Sequence, residues 1–397
     1  MSEGRHHFRL KGELAENVVH DLAEASFFTD WCYRNPKLSD GKELCDLLVV
    51  FEDVAIIWQI KDLKLQEDGR FSEKHVAKNL RQLSGAKRRL LDESRPIVLS
   101  NPHRGKETFD PKSVARIYLI SALTGPGEDF FPFFRDIKNG TAHVFDAGFL
   151  DVALQELDTV ADFVAYLDAK ETFLSGDIGL ILNGGEQELL ATYLTNDRSF
   201  DDFVDATFVV VDEGSWAEFQ KRPEYLARRE ADEVSYAWDE LIEQAHASGS
   251  PDYERIARAL ARPNRFNRRI LAKAFYDAHV LAHENHEENI FRRVLPQEGV
   301  TFCFLFAGRD VPIDERRAGL ELFCFVARGT IPENQLVLGI ATEQRFESGA
   351  SYDFCLLEMP QWTARDEADM KTIQAETGIL MRAVRREVHE EEYPTQA

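Results

Sequence analysis

Three polar side chains, Asp46, Gln59 and Lys61, carry the most chemistry this chain offers at short range. They stand at the outer ends of two apolar bursts, Leu47 to Phe51 and Val54 to Trp58, which the acidic pair Glu52-Asp53 separates. Short bursts rich in Val, Ile and aromatic residues predict two strands joined by a tight turn. Side chains alternate faces along a strand, so Gln59 and Lys61, either side of Ile60, point the same way. The hairpin folds the chain back on itself and brings Asp46 beside them. A carboxylate, an amide oxygen and an ammonium are therefore expected to converge at one end of a buried hairpin.

Unpaired charge in such a place costs on the order of several kcal/mol. A hard cation removes the difficulty, because Mg²⁺ takes oxygen ligands: commonly one or two carboxylates, waters and substrate phosphate. Asp46, the Gln59 side-chain oxygen and the Ile60 carbonyl are the expected metal ligands, with Mn²⁺ able to substitute for Mg²⁺. Lys61 would then orient or deprotonate an attacking water, or hold a phosphate oxygen. The plain structural alternative is that Asp46 caps a turn and Lys61 extends from a strand end into solvent.

Asp46, a turn and then Gln59-x-Lys61 resemble the PD-(D/E)XK nuclease superfamily in its Q-x-K variant, familiar from Mrr-like restriction nucleases. The resemblance covers roughly the first third of the chain. It implies an αβββαβ core, Mg²⁺-dependent cleavage of DNA, and a glutamate on the first core helix that faces the metal, for which Glu16 is the best match. Two positions depart from the parent pattern: Cys45 stands where a proline usually precedes the aspartate, and Gln59 replaces the usual acid. The second departure removes one negative charge from the metal site.

The elements that position these residues are legible in outline. Glu13 to Trp31 reads as a helix with Leu14, Val18, Leu22 and Ala25 on its apolar face, and Tyr33 to Lys42 as a loop. Ser72 to Leu91 reads as a second helix, with Val76, Leu80, Leu83 and Leu90 opposite a basic stripe of Lys74, Lys78, Arg81, Arg88 and Arg89. Between Lys74 and Leu91 six residues are Lys or Arg and none is acidic, which marks a face for DNA phosphates in an otherwise acidic protein. Pro96 to Ser100 and Ala115 to Leu123 read as further strands, apolar enough to be central in a sheet. Residues 124 to 150, with Phe130, Phe131, Phe133, Phe134 and Asn139-Gly140, read as an excursion closing the first domain.

The remainder names no reaction. Residues 149–290 are mainly helical and acidic, a surface for a protein partner or a second copy of the chain. Arg255 to Lys273 forms a second basic concentration, which could extend a DNA track or neutralise the acidic helices before it. His279, His283 and His286, with Glu284 and Glu287 among them, lack the H-E-x-x-H order of a zinc helix. Residues 291–383 read as a small α/β domain without a phosphate loop, nucleophile elbow or dinucleotide fingerprint, and 384–397 as a polar, poorly ordered tail. The expected architecture is thus multidomain α/β, with the nuclease-like domain at 1–148.

Composition sets the outer limits. At 397 residues the chain exceeds one ordinary core, and 44% hydrophobic residues are enough to fold it. No apolar run approaches the ~18 residues that span a bilayer, and the first fifteen residues show no secretory pattern, so no membrane partner is expected. Five cysteines without C-x-x-C spacing point to reduced thiols and a cytoplasmic protein. A net charge of −23 opposes nucleic-acid binding by the surface as a whole, so any DNA contact has to be local. A nuclease-like module that binds or assembles without catalysis is the alternative the sequence leaves open.

Overall fold

The hairpin forms as its pattern requires. Leu47–Phe51 (β2) and Val54–Lys61 (β3) pair antiparallel, with Leu47 opposite Trp58 and Phe51 opposite Val54. Glu52 adopts φ 52° in the tight turn. The structure is a computed structural model. It describes residues 2–394 apart from 39, 65, 68–70, 102, 126–133, 139, 177, 204–205, 249, 285–288 and 346–350, with the backbone alone for 2–13 and 134. The expectations on Phe130, Phe131, Phe133, Asn139, His286, Glu287 and the Phe134 side chain lie outside the described residues. The chain is mixed α/β and divides into two units, Met1–Leu226 and Ala227–Ala397. That division falls inside the stretch expected to form one helical region.

In the first unit, Ser2–Phe27 is a helix (α1), Cys32–Arg34 a short strand (β1) and Glu73–Leu90 a helix (α2). Ile97–Asn101 (β4) and Gly105–Phe109 (β5) follow, then Arg116–Leu123 (β6), Phe134–Ile137 (β7) and Gly140–Asp146 (β8). Six of these strands form one sheet in the order β1-β2-β3-β6-β8-β7, in which β3, β6 and β8 run parallel. One face carries Leu48, Ala55, Ile57, Leu119 and Val144 and packs on Val76, Leu80, Leu83 and Leu90 of α2. The other presents Trp58 and Phe145 to Phe163 on Val160–Leu174 (α4), with Phe149 on Ala147–Glu156 (α3) against Phe145. By strand alternation Gln59 and Lys61 share the α2 face with Ala55 and Ile57. The unit ends in Gly179–Leu182 (β9) and Phe208–Val211 (β10), a parallel pair around Glu186–Thr195 (α5), then Ser215–Phe219 (α6).

Several expectations need correction. The buried face of α1 is Val19, Ala23 and Phe27, while Leu14 and Val18 are 66% and 52% exposed; the true stripe is set by what reaches the sheet, one position on from the one expected. Ile97–Asn101 is not central in the main sheet: it pairs only with β5, and its alternate residues are exposed. The excursion instead supplies a sheet strand, since β8 runs beside β6 from Ile120 and His143 onward. The supposed loop after Trp31 contains β1, which pairs with β2.

In the second unit, Pro223–Asp232 (α7) enters across the division and is followed by Tyr236–His246 (α8), Pro251–Ala261 (α9) and Arg265–Glu284 (α10). A four-stranded sheet follows, Ile290–Gln297 (β11), Val300–Ala307 (β12), Leu336–Glu343 (β13) and Asp353–Glu358 (β14), with Ile313–Thr330 (α11) crossing between the parallel strands β12 and β13. Ala364–Thr377 (α12) ends where Gly378 takes the left-handed conformation, φ 69°. Arg265 and Arg268 both pair with Asp239, and Arg269 pairs with Asp232. Three cations of the second basic run therefore neutralise acids of the helices before it. The tail is also held: Arg269 donates to the carbonyls of Glu391 and Glu392, and the Arg228 guanidinium lies 5.5 Å from the Tyr393 ring. Among the described residues no helix is long and apolar enough to cross a membrane.

Candidate functional site

β3 outruns its antiparallel partner. β2 begins at Leu47, opposite Trp58, so Gln59, Ile60 and Lys61 extend along an edge that β2 no longer covers. Asp46 fills that edge. Its backbone N–H donates to the Trp58 carbonyl at 3.2 Å, and its Oδ2 accepts from the Ile60 N–H at 2.6 Å and from Gln59 Nε2 at 2.5 Å. Lys61 Nζ stands 3.9 Å from the same oxygen. The convergence expected from the sequence is present, but the amide is turned the other way: Gln59 offers Asp46 its nitrogen, because a carboxylate can only accept.

Asp46 is anchored from behind as well. Its carbonyl accepts from the Asn35 N–H at 2.9 Å and from His20 Nε2 at 2.9 Å. A carbonyl acceptor requires His20 to carry its proton on Nε2. Burial holds the His20 ring below its ordinary pKa, and it serves as a neutral prop. Glu16 lies one helical turn before His20 on α1, partly exposed.

Two groups unforeseen from sequence complete the support. Asn79, fully buried in the middle of the apolar face of α2, donates from Nδ2 to the Gln59 carbonyl at 3.1 Å and to Ser121 Oγ at 2.7 Å. Ser121 is the β6 residue in register with Gln59. A lone amide among Val76, Leu80 and Leu83 was the available signal, because a buried polar side chain demands a partner.

The electrostatics follow from burial. Asp46 is 6% and Gln59 4% exposed. Desolvation raises the Asp46 carboxyl above its ordinary pKa, and the charge of Lys61 and the donors Ile60 and Gln59 only partly offset it. Burial beside a specific cation perturbs carboxylates in active sites and in structural ion pairs alike. Asp46 Oδ1 and Gln59 Oε1 accept no hydrogen bond among the described residues, and the Ile60 carbonyl shares its edge with the N–H bonded to Asp46. These three oxygens are what the site can offer a cation. Among the described residues no group of three or more His, Cys, Asp or Glu forms a metal cage.

On α2, Lys74, Lys78, Arg81 and Arg88 are exposed as the helical projection required. Arg89 is partly buried and donates to the Arg95 carbonyl at 2.6 Å, closing the turn after the helix. No protein-family model matches the chain, and no curated protein or solved structure matches it.

Proposed function

We propose that the protein is a Mg²⁺-dependent phosphodiesterase that cleaves DNA, with its site at Asp46, Gln59, Ile60 and Lys61. One observation carries this reading: Gln59, Ile60 and Lys61 converge on a single Asp46 oxygen, and among the described residues none hydrogen-bonds the second. An oxygen-only donor set with one carboxylate suits a hard cation that completes its shell with water and phosphate oxygens. Asp46 Oδ1, Gln59 Oε1 and the Ile60 carbonyl would hold it, the amide rotating to present oxygen. Such an ion acidifies a bound water and offsets charge in phosphoryl transfer.

The chain's own groups supply the rest. The Ile60 N–H fixes the carboxylate, His20 and Asn35 fix the backbone behind it, and Lys61 sets a positive charge where a phosphate oxygen or attacking water would sit. Exposed Lys74, Lys78, Arg81 and Arg88 grip phosphates, which gives register without reading sequence. With the β4–β5 hairpin set aside as an insertion, the order α1, β1–β3, α2, β6 is compatible with the αβββαβ core of the resembled nuclease superfamily, which supports the reading as analogy. Microbial genome defence is the setting that analogy carries. Five free cysteines, four of them buried, fit a reducing cytoplasm.

The same carboxylate supports a second reading, a nuclease-like binding module without catalysis, because Asp46 Oδ2 is already satisfied by protein donors. Incubation with supercoiled, linear and single-stranded DNA decides between them. Cleavage that requires Mg²⁺ or Mn²⁺ and disappears in Asp46→Ala is expected. Intact DNA in every combination contradicts the nuclease.

A further inference from the structure

Three of the five cysteines meet in the second unit, although they lie far apart in the chain. The register of the four-stranded sheet sets Cys303 on β12 opposite Gly339 on β13, and Gly339 opposite Cys355 on β14. The three residues stand in one row across the sheet, and both cysteines join the core cluster built on α11. Glycine inside a buried strand marks the close approach of another group. Here that group is Cys324 of α11, whose Sγ lies 2.5 Å from where a β-carbon on Gly339 would sit. Cross-strand β-carbons stand about 4.5–5.5 Å apart, so the Cys324 sulfur drops into the middle of the row. The Cys303 and Cys355 thiols both act on its ionisation through side-chain contact. Neighbouring strands run about 4.8 Å apart, which puts the α-carbons of Cys303 and Cys355 about 10 Å apart, beyond the roughly 7 Å that a disulfide spans. Neither can bond the other, and Cys324 is the partner each can reach. Among the described residues the trio forms no metal cage. Solvent reaches the row at Cys355 on the edge strand, which is partly exposed, while Cys303 and Cys324 are 0% exposed.

We propose that Cys324 and Cys355 are an oxidation site, at which hydrogen peroxide closes a reversible disulfide between α11 and the edge strand β14. The inference is independent of the nuclease reading. Peroxide transfers one oxygen to the Cys355 sulfur, which becomes a sulfenic acid as a first water leaves. The Cys324 sulfur then attacks that sulfur, the S–O bond breaks, and the departing hydroxide takes the Cys324 proton as a second water. Two thiols and one peroxide thus give one disulfide and two waters. The Cys324 thiol, burial and the Glu321 carboxylate hold the Cys355 thiol protonated. Because the thiolate is the nucleophile, closure is slow at neutral pH and the pair rests reduced.

The test treats the full-length reduced protein with hydrogen peroxide at mildly alkaline pH, alkylates the remaining thiols in denaturant and maps unreduced peptides by mass spectrometry. The expected result is a peptide linking Cys324 to Cys355, lost after dithiothreitol, with Cys32 and Cys45 of the first unit still alkylated. Cys324→Ser should instead carry Cys355 on to sulfinic acid, since no thiol is left to resolve the sulfenic acid. The linked peptide is read in the wild type, so the outcome does not depend on the variant folding. A trio that stays fully alkylated while peroxide oxidises the methionines overturns the proposal, as does sulfinic acid at Cys355 of the wild type with no link to Cys324. A link from Cys303 to Cys324 in its place overturns the assignment of Cys355.

Discussion

Gln59 turns its amide nitrogen toward Asp46, 2.5 Å from Oδ2, so the two side chains meet as donor and acceptor. The neutral amide lets a buried carboxylate exist without a bound metal ion, since the amide and the Ile60 N–H together satisfy one oxygen beside the Lys61 ammonium. Gln59→Glu exchanges that donor for a like charge. Metal affinity is expected to rise by about tenfold, while the metal-free fold loses on the order of 1–3 kcal/mol at neutral pH. Titration calorimetry and urea unfolding of the same variant measure both.

Asp46 is ionised at a cost, since its folded pKa lies above the ordinary carboxylate value chiefly through burial. The folded state therefore holds this proton more tightly than the unfolded chain. Stability falls as pH rises through the interval between the two values, and the penalty is complete above it. Asp46→Asn keeps an acceptor for the Ile60 N–H and removes the charge. A higher urea midpoint than wild type near pH 8, together with lost metal binding, is the expected pair of results. A lower midpoint would mean the charge is better solvated than its burial indicates.

Lys61 reaches the site from a strand end and remains partly exposed. Lys61→Met should lower cleavage by about 10²–10³ with little change in melting temperature, as expected for a group whose role is electrostatic. A comparable loss of fold would make the lysine structural instead. Reversing Lys74, Lys78 and Arg81 together should flatten the dependence of log affinity on log salt by roughly 0.9 for each phosphate these side chains no longer neutralise, seen by titrating duplex DNA at several salt concentrations. Arg89→Ala should leave that slope unchanged.

A buried ion pair in the helical part of the first unit makes a separate prediction. Lys170 and Glu186, 0% and 1% exposed, are joined by a hydrogen bond, with the Tyr166 hydroxyl on the same carboxylate. Lys170→Met alone strands the acid and should cost about 3–5 kcal/mol, whereas Lys170→Met/Glu186→Leu should recover most of the loss. Denaturant curves of the two variants check this.

The same region sets two opposing pH slopes. Burial lowers His143 to about 4, so its contribution is full above about 6.5 and is lost as pH falls toward 4. Burial raises Glu186 to about 7, so its contribution is lost as pH rises from about 4.5 toward 7. Between about pH 4.5 and 6.5 the two slopes oppose each other. His143→Gln is expected to expose the second slope, giving lower stability at pH 7 than at pH 5 in urea unfolding.

The hairpin and its polar ends were legible because two features local in sequence specify them: a period-2 apolar pattern and acidic residues at the turn. The basic face of α2 was legible for the same reason, since helical spacing alone separates Lys74 and Lys78 from Val76 and Leu80. What escaped depends on partners distant in the chain. The buried face of α1 is set by the sheet beneath it, so Leu14 and Val18 look core-like and are exposed. β1 has three residues and exists only because β2 is there to pair with it. Arg268 and Arg269 resemble a nucleic-acid track until Asp239 and Asp232 are placed beside them. The rotamer of Gln59 was beyond reach as well, because it follows from the hydrogen bond that Asp46 demands.

The most direct test is calorimetric titration of Mn²⁺ into the wild type and Asp46→Ala. A single saturable site in the wild type that the substitution abolishes, with an unchanged melting profile, is the predicted result. Equal heats in both proteins, or none in the wild type, would contradict the assignment of Asp46 as the residue that holds the metal.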